Sequence, residues 1–184
     1  LLLEEKEDGS EEALLGDLFH MKAGRYIAAS EIGDSQSSTY PYPCYGGNGL
    51  RGYVGSWSHQ GDRILVGRQG ALSGNVRRAA GSFYATEHAV VVEPRVGSRV
   101  DLRWAFHALT TMNLNQYVSS GAQPGLAVKT LKSLPLRLPS LREQRRIAQI
   151  LDAFELLVGD LSEGLPAELN ARRKQYEFYR ERLL

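Results

Sequence analysis

Apolar and polar positions follow two different regimes along this chain, and the change falls at residue 140. Before it, apolar residues come in short runs at Arg25–Ser30, Arg63–Arg68, Ala85–Val92 and Leu134–Leu138, each predicted to be a strand. Gly46, Gly47, Gly49, Gly52, Gly55, Gly61, Gly67, Gly70, Gly74 and Gly81 punctuate this region, which predicts turns and exposed loops between strands. One helix interrupts it. Ser98-Arg99-Val100-Asp101 fits a capping box, and Leu102, Ala105, Phe106 and Leu109 line one face, fading near Tyr117. After Pro139, a second capping box, Ser140 with Glu143, opens a helical pattern in which Ile147, Leu151, Phe154, Val158 and Leu161 fall on one heptad seam. Gly164-Leu165-Pro166 is a predicted break, because proline inside a helix costs ~3 kcal/mol. Leu165, Leu169, Arg172, Tyr176, Tyr179 and Leu183 then resume the spacing. At ~1.5 Å per residue the whole segment would reach roughly 65 Å, more than a small domain's surface covers. The seam therefore calls for a helical hairpin or a partner helix.

The fold class expected is α+β, a mixed, loop-rich domain followed by a long, coiled-coil-like helical segment. Residues 1–15 read as an acidic leader, poorly ordered or a frayed helix; residues 16–139 form the domain and 140–184 the helical region. Charge follows the same division. Residues 1–17 carry seven acids and one base, residues 18–139 thirteen bases and six acids, and residues 140–184 eight of each. Ten of the thirteen bases in the middle are Arg, whose planar fork can grip guanine or phosphate in two places at once. Such asymmetry makes nucleic acid a partner worth testing, against the plainer reading of a solvated surface. No apolar run approaches the ~18 residues that span a bilayer, and the first residues lack the basic flank of a secretory signal. The first residue is Leu, so the chain is expected to begin inside a longer one. A single cysteine, Cys44, excludes an internal disulfide and a multi-thiolate zinc site, and suits a reduced, cytoplasmic protein.

Catalytic chemistry finds little support. Gly67-Arg68-Gln69-Gly70-Ala71-Leu72-Ser73-Gly74 lacks the Gly-Lys-Ser/Thr ending of a phosphate loop. His20, His59, His88 and His107 are scattered, without the one-turn spacing of a metalloprotease helix. Glu87 and His88 could act as a general base and its orienter, but within an apolar run they read better as a local hydrogen-bond network. Cys44, between Pro43 and Tyr45, has no neighbouring base and reads as packed rather than nucleophilic. No metal or cofactor is expected. What remains is a binding surface on three loops: Tyr45, Asn48, Arg51 and Tyr53 on the first; Arg68, Gln69, Asn75, Arg77 and Arg78 on the second; Gln123 and Lys129 flanking the third. Arg pairs with guanine, Asn and Gln with adenine, and Lys holds phosphate, so these residues suit groove reading.

Taken in order, these blocks resemble one family. A Tyr-Gly-x-x-Gly loop (Tyr45 to Gly49) precedes a strand ending in Gly-Arg-x-Gly (Gly67 to Gly70). Thr86-Glu87-His88-Ala89 follows, then Gln123-Pro124-Gly125, then the strand exit Leu134-Pro135-Leu136-Arg137-Leu138-Pro139. Leu141-Arg142-Glu143-Gln144-Arg145-Arg146-Ile147, with Ile150-Leu151-Asp152, resembles the opening of the spacer helix in specificity subunits of type I restriction-modification systems. Asp160 to Leu184 is similar to its continuation, and Pro139-Ser140-Leu141 stands where a double proline is more usual. The resemblance implies a non-catalytic subunit that reads double-stranded DNA. In that family two recognition domains each read half of a split site, and two antiparallel spacer helices set the gap. It also implies docking to modification subunits, which methylate adenine, and to restriction subunits, which translocate and cut. One recognition domain and one spacer are present here. A fragment and a natural half-subunit that dimerises through its C-terminal helices both remain open, as do two rival functions, a helical scaffold and a hydrolase using Glu87 and His88.

Overall fold

Phe19–Ala23 runs apolar, polar, apolar, polar, and its residues are buried and exposed in turn, the signature of a strand covered on one face. In the computed structural model, which describes residues 11–70, 72–119 and 125–156, this strand is β2. It follows β1 (Glu11–Leu14) and the one-turn helix α1 (Leu15–Leu18). After it come β3 (Tyr42–Gly46), β4 (Gly49–Val54), β5 (His59–Gln60), β6 (Arg63–Gly67), β7 (Val76–Ala79), β8 (Ser82–Ala85) and β9 (Ala89–Pro94). Helix α2 (Leu102–Thr111), the short helix α3 (Val128–Lys132) and strand β10 (Pro135–Leu138) complete the mixed α/β body. Residues 141–156 are helical (α4). The chain divides into two compact units, with the boundary after Arg145.

Three sheets build the first unit: a β1–β10 pair, a four-stranded β2-β9-β6-β7 sheet, and a four-stranded β4-β3-β8-β5 sheet. Pairings are antiparallel except that of β3 with β8. Leu65 and Val91 on one sheet and Phe83 and Ala85 on the other share a core with Ala79, edged by Tyr45. The alternate positions Ile64, Val66, Val90 and Val92 are equally buried. Theirs is the face toward α2, because Arg78, paired opposite Ile64, stacks on Phe106 of that helix. Ile27, Cys44 and Val54 form a second core with Ile32, Tyr42 and Tyr84.

Several sequence expectations are corrected. Arg25–Ser30 is not a strand: Arg25 makes one isolated bridge to Thr86, and a 3-10 turn follows at Ala29–Glu31. Ala85–Val92 is two strands on different sheets, joined by a turn at residues 86–88. Asp101, not Ser98, caps α2, its carboxylate accepting from the amides of Arg103 (3.0 Å) and Trp104 (3.2 Å). The α-helix ends at Thr111, and a 3-10 segment carries the chain on to Tyr117. Residues 11–15, read as the end of a leader, belong to the folded body: Glu11–Leu14 pairs with β10 and Leu15 is fully buried.

Ser140 does cap α4, accepting from the amide of Glu143 at 3.3 Å. Of the heptad positions, Ile147 is half-buried, while Leu151 and Phe154 are exposed; Val158, Leu161, Leu165, Leu169, Tyr176, Tyr179 and Leu183 lie outside the described residues. Among the described residues, no helix is long and apolar enough to cross a membrane.

Gln144 is the buried polar residue that ties the first turn of α4 to the body. Its amide nitrogen donates to the carbonyls of Arg99 (2.9 Å) and Pro139 (2.8 Å), and its oxygen accepts from the amide of Asp101 (2.8 Å). Leucine there would strip three part-buried backbone groups of their partner, a loss of about 2–3 kcal/mol. Urea titration of Gln144→Leu is expected to show that loss with an unchanged slope; a variant within about 0.5 kcal/mol of the parent would mean the bonds are made to water instead.

Candidate nucleic-acid interface

The β3–β4 hairpin closes through Gly46 opposite Gly49, leaving Gly47 and Asn48 as a two-residue turn. Gly49 adopts φ +98°, a conformation glycine enters without strain. Gly47 is required for a different reason: a β-carbon there would stand 2.7 Å from the Gln69 carbonyl and 3.0 Å from that of His88. Gly67 at the end of β6 is tighter still, with its β-carbon 2.2 Å from the Gly47 carbonyl. The hairpin tip thus lies directly on the backbone of the loop after β6 and of the turn between β8 and β9. Arg68 fastens these together, its amide donating to the His88 carbonyl (2.9 Å) and its carbonyl accepting from Leu126 (2.8 Å). Gln69 bridges to Gly125, which closes the third loop against Ser119.

These segments enclose an open cleft of about 360 Å³. Its wall includes residues 46–51, Gln69 and His88. Asn48, Leu50, Arg51 and Gln69 are exposed and His88 is half-exposed. Arg51 owes its aim to a bulge: Leu50 stands opposite Tyr45 and Gly52 opposite Cys44, so Arg51 has no residue across from it. Arg77 arrives from β7, and its guanidinium Nε lies 3.7 Å from where a Gly49 side chain would begin. The nearby acid, Glu87, is engaged by His88 Nε2 at 3.2 Å, while Arg68 leans on the Glu87 carbonyl. The site therefore offers two exposed guanidiniums, two amides and an imidazole, the groups that meet base edges and phosphates.

Not every residue singled out in the sequence converges here. The Tyr45 ring turns inward, edge-on to Phe83 at 5.7 Å, and burial raises its hydroxyl pKa. Tyr53 is held through its backbone to Gly33. Arg78 sits on the opposite face of β7 from Arg77, 4.1 Å over Phe106 and 3.0 Å from His107 Nε2. Asn75 lines a separate cleft of about 240 Å³ with Thr110, Asn113 and Asn115, to which Arg77 also contributes. Lys129 is on α3, which packs against α1 and β2, and Gln123 lies outside the described residues. Conversely, His88 and Leu50 line the cleft although the sequence reading gave the first a structural role and passed over the second. A polar triplet interrupting an apolar run was the available signal for a turn at His88.

The family model for the type I restriction modification DNA specificity domain matches residues 7–171. The chain belongs to that family. It is 53% identical over 164 residues to the type I restriction enzyme EcoprrI specificity subunit of Escherichia coli, covering 88% of this chain and 40% of the relative. A putative type I restriction enzyme specificity subunit of Haemophilus influenzae is 34% identical over 149 residues, 77% of this chain and 38% of the relative. The specificity-domain chain thus spans less than half the length of either relative. Its fold matches the crystal structure of a type I restriction-modification system S subunit from M. genitalium with a TM-score of 0.71 at 20% identity, over 88% of this chain and 43% of that one.

Inside this specificity domain, two groups near Glu87 and His88 that could act as nucleophiles, the Thr86 hydroxyl and the Cys44 thiol, are both buried. The Thr86 hydroxyl is fully buried and accepts from the His88 amide at 3.4 Å. Cys44 is fully buried, and burial pushes its thiol from 9.0 up to about 11, with Arg51 drawing it down and Glu87 pushing it up. Because the thiolate is the reactive form, a pKa of about 11 leaves roughly a hundredfold less of it near pH 8 than the ordinary value. Alkylation of the native protein by iodoacetamide should be correspondingly slow and should accelerate as pH rises toward 11. A rate equal to that of the unfolded chain would show Cys44 to be accessible and ionised.

Proposed function

We propose that this chain reads one half of a bipartite DNA site as the recognition portion of a type I specificity subunit. The observation that carries the reading is the convergence of Asn48, Arg51, Gln69 and His88 on one cleft, with the Arg77 guanidinium beside Gly49 of its wall. Arg51 stands at a strand bulge and Gln69 on a bridge to Gly125, so rigid backbone presents both exposed side chains, as base reading requires. Arg77 and Arg68 border the same site and supply positive charge for phosphate. The region from 140 onward is the spacer and the docking surface for modification and restriction subunits. The subunit itself is non-catalytic and works in the cytoplasm, where the DNA is.

The test is selection from a randomised duplex library by the full chain, with and without a modification subunit, across a salt series. One half of a split motif should be enriched. With these two phosphate contacts, from Arg68 and Arg77, affinity should fall roughly 12-fold between 50 and 200 mM salt. Arg51→Ala and Gln69→Ala should each relax the preference at one position, at ~1–3 kcal/mol per lost base pairing. Salt-sensitive binding without enrichment would reduce the cleft to a generic basic surface, and absence of binding in both conditions would favour the scaffold.

A second reading concerns assembly. Ile150, Leu151, Phe154 and Leu156 are all exposed on α4, more apolar surface than a solvated helix needs. Two copies pairing through this region would make a two-fold reader of a split palindrome. Sedimentation of the chain at tens of micromolar should then show a dimer that Phe154→Glu dissolves; a strictly monomeric profile would count against it.

A further inference from the structure

Among the described residues, Leu50 is the one apolar side chain in the cleft wall, and it stands among Asn48, Arg51, Gln69 and His88 with 55% of its surface exposed. A lone exposed leucine is ordinary on a protein surface. Its position here is not. In a regular strand Leu50 and Arg51 would point to opposite faces, but the bulge at Arg51 brings both to the cleft wall. Its cross-strand neighbour, Tyr45, turns its ring into the core against Phe83 and so leaves Leu50 uncovered. Among the four base pairs, the one apolar group displayed in the major groove is the C5-methyl of thymine, which lies beside the O4 acceptor. A leucine flanked by amide and guanidinium donors is the chemical complement of that pair of features.

We propose that Leu50 packs on the C5-methyl of a thymine in the recognised half-site, so that the cleft distinguishes thymine from cytosine by shape as well as by hydrogen bonding. The proposal rests on the DNA-recognition reading. Once the library has given a preferred duplex, each thymine of the half-site is replaced in turn by deoxyuridine, which removes the methyl and keeps the pairing edge. At one position the parent chain should bind about fourfold more weakly, the worth of one buried methyl. Leu50→Ala should bind the thymine duplex more weakly and show no further loss with deoxyuridine, while Leu50→Met should keep the discrimination. Leu50 is exposed, so neither variant is expected to disturb folding, which a urea titration checks. Indifference of the parent chain to every deoxyuridine, a half-site without thymine, or the same thymine-to-uracil ratio in the parent and in Leu50→Ala would overturn the assignment while leaving DNA recognition standing. A chain that selects no DNA would overturn both.

Discussion

The crossing of the chain at Thr86 is the constraint on which the rest of this domain depends. There the run from β8 to β9 leaves one four-stranded sheet and enters the other, with Thr86 fully buried at the junction. Its amide donates to the Tyr45 carbonyl (2.8 Å), its carbonyl accepts from Ala89 (3.0 Å), and its hydroxyl accepts from the His88 amide (3.4 Å). A buried turn carries polar backbone that must be paired somewhere, and here that pairing supplies the geometry. Because Thr86 is bonded to β3, the β3–β4 hairpin cannot move independently of the 86–88 turn. Gly24 lies so close beneath that a β-carbon would be 2.2 Å from the Ala85 carbonyl. Here the chain leaves β2 and meets the crossing, the Arg25 amide donating to the Ala85 carbonyl at 2.9 Å and Arg25 bridging to Thr86.

From this crossing the cleft follows by backbone contact alone. Gly47 on Gly67, and Arg68 bonded to His88, lock the hairpin tip, the loop after β6 and the 86–88 turn into one rim. Charge is then distributed by strand alternation. Arg77 and Arg78 are neighbours in sequence, yet one faces the hairpin and the other is committed to Phe106 and His107 on α2. The same guanidinium chemistry reads outward in one case and holds a helix to a sheet in the other. Glu87, the acid beside the cleft, places one carboxylate oxygen 3.2 Å from His88 Nε2.

How much of this was legible in the sequence depends on whether the signal was local. β6, β10 and the caps at Ser140 and Asp101 depend on residues a few positions apart, and the pattern revealed them or came within a few residues. β2 was missed although its signal was local: Phe19-His20-Met21-Lys22-Ala23 alternates buried and exposed positions, the pattern of a half-buried strand. Ala85–Val92 was read as one strand since nothing local says that Thr86 changes sheets; that is decided by its bonds to Tyr45 and Ala89. The candidate binding residues were read as three loops, but Tyr45, Arg51 and Tyr53 lie on β3 and β4, Arg77 and Arg78 on β7 and Lys129 on α3; which of them meet at the cleft is a fact of register and facing. Gln144 is the opposite case. The Glu-Gln pair at the start of α4 carried the family resemblance, and its cause is three part-buried hydrogen bonds to residues 99, 101 and 139.

The division of labour between backbone and side chain has a consequence for how such a site can change. The rim is fixed by Gly47, Gly67 and Thr86, positions where an added or altered side chain collides with backbone or unpairs it. Asn48, Leu50, Arg51 and Gln69 are exposed on that rim, and surface substitutions of this kind usually alter stability by less than about 0.5 kcal/mol. Base discrimination, by contrast, is worth ~1–3 kcal/mol per good pair. On the proposed reading, a substitution at one of these four positions shifts sequence preference by more than it shifts folding. Specificity in this scaffold then rests, on the same reading, with a few exposed side chains, while Gly47, Gly67 and Thr86 hold the backbone that presents them.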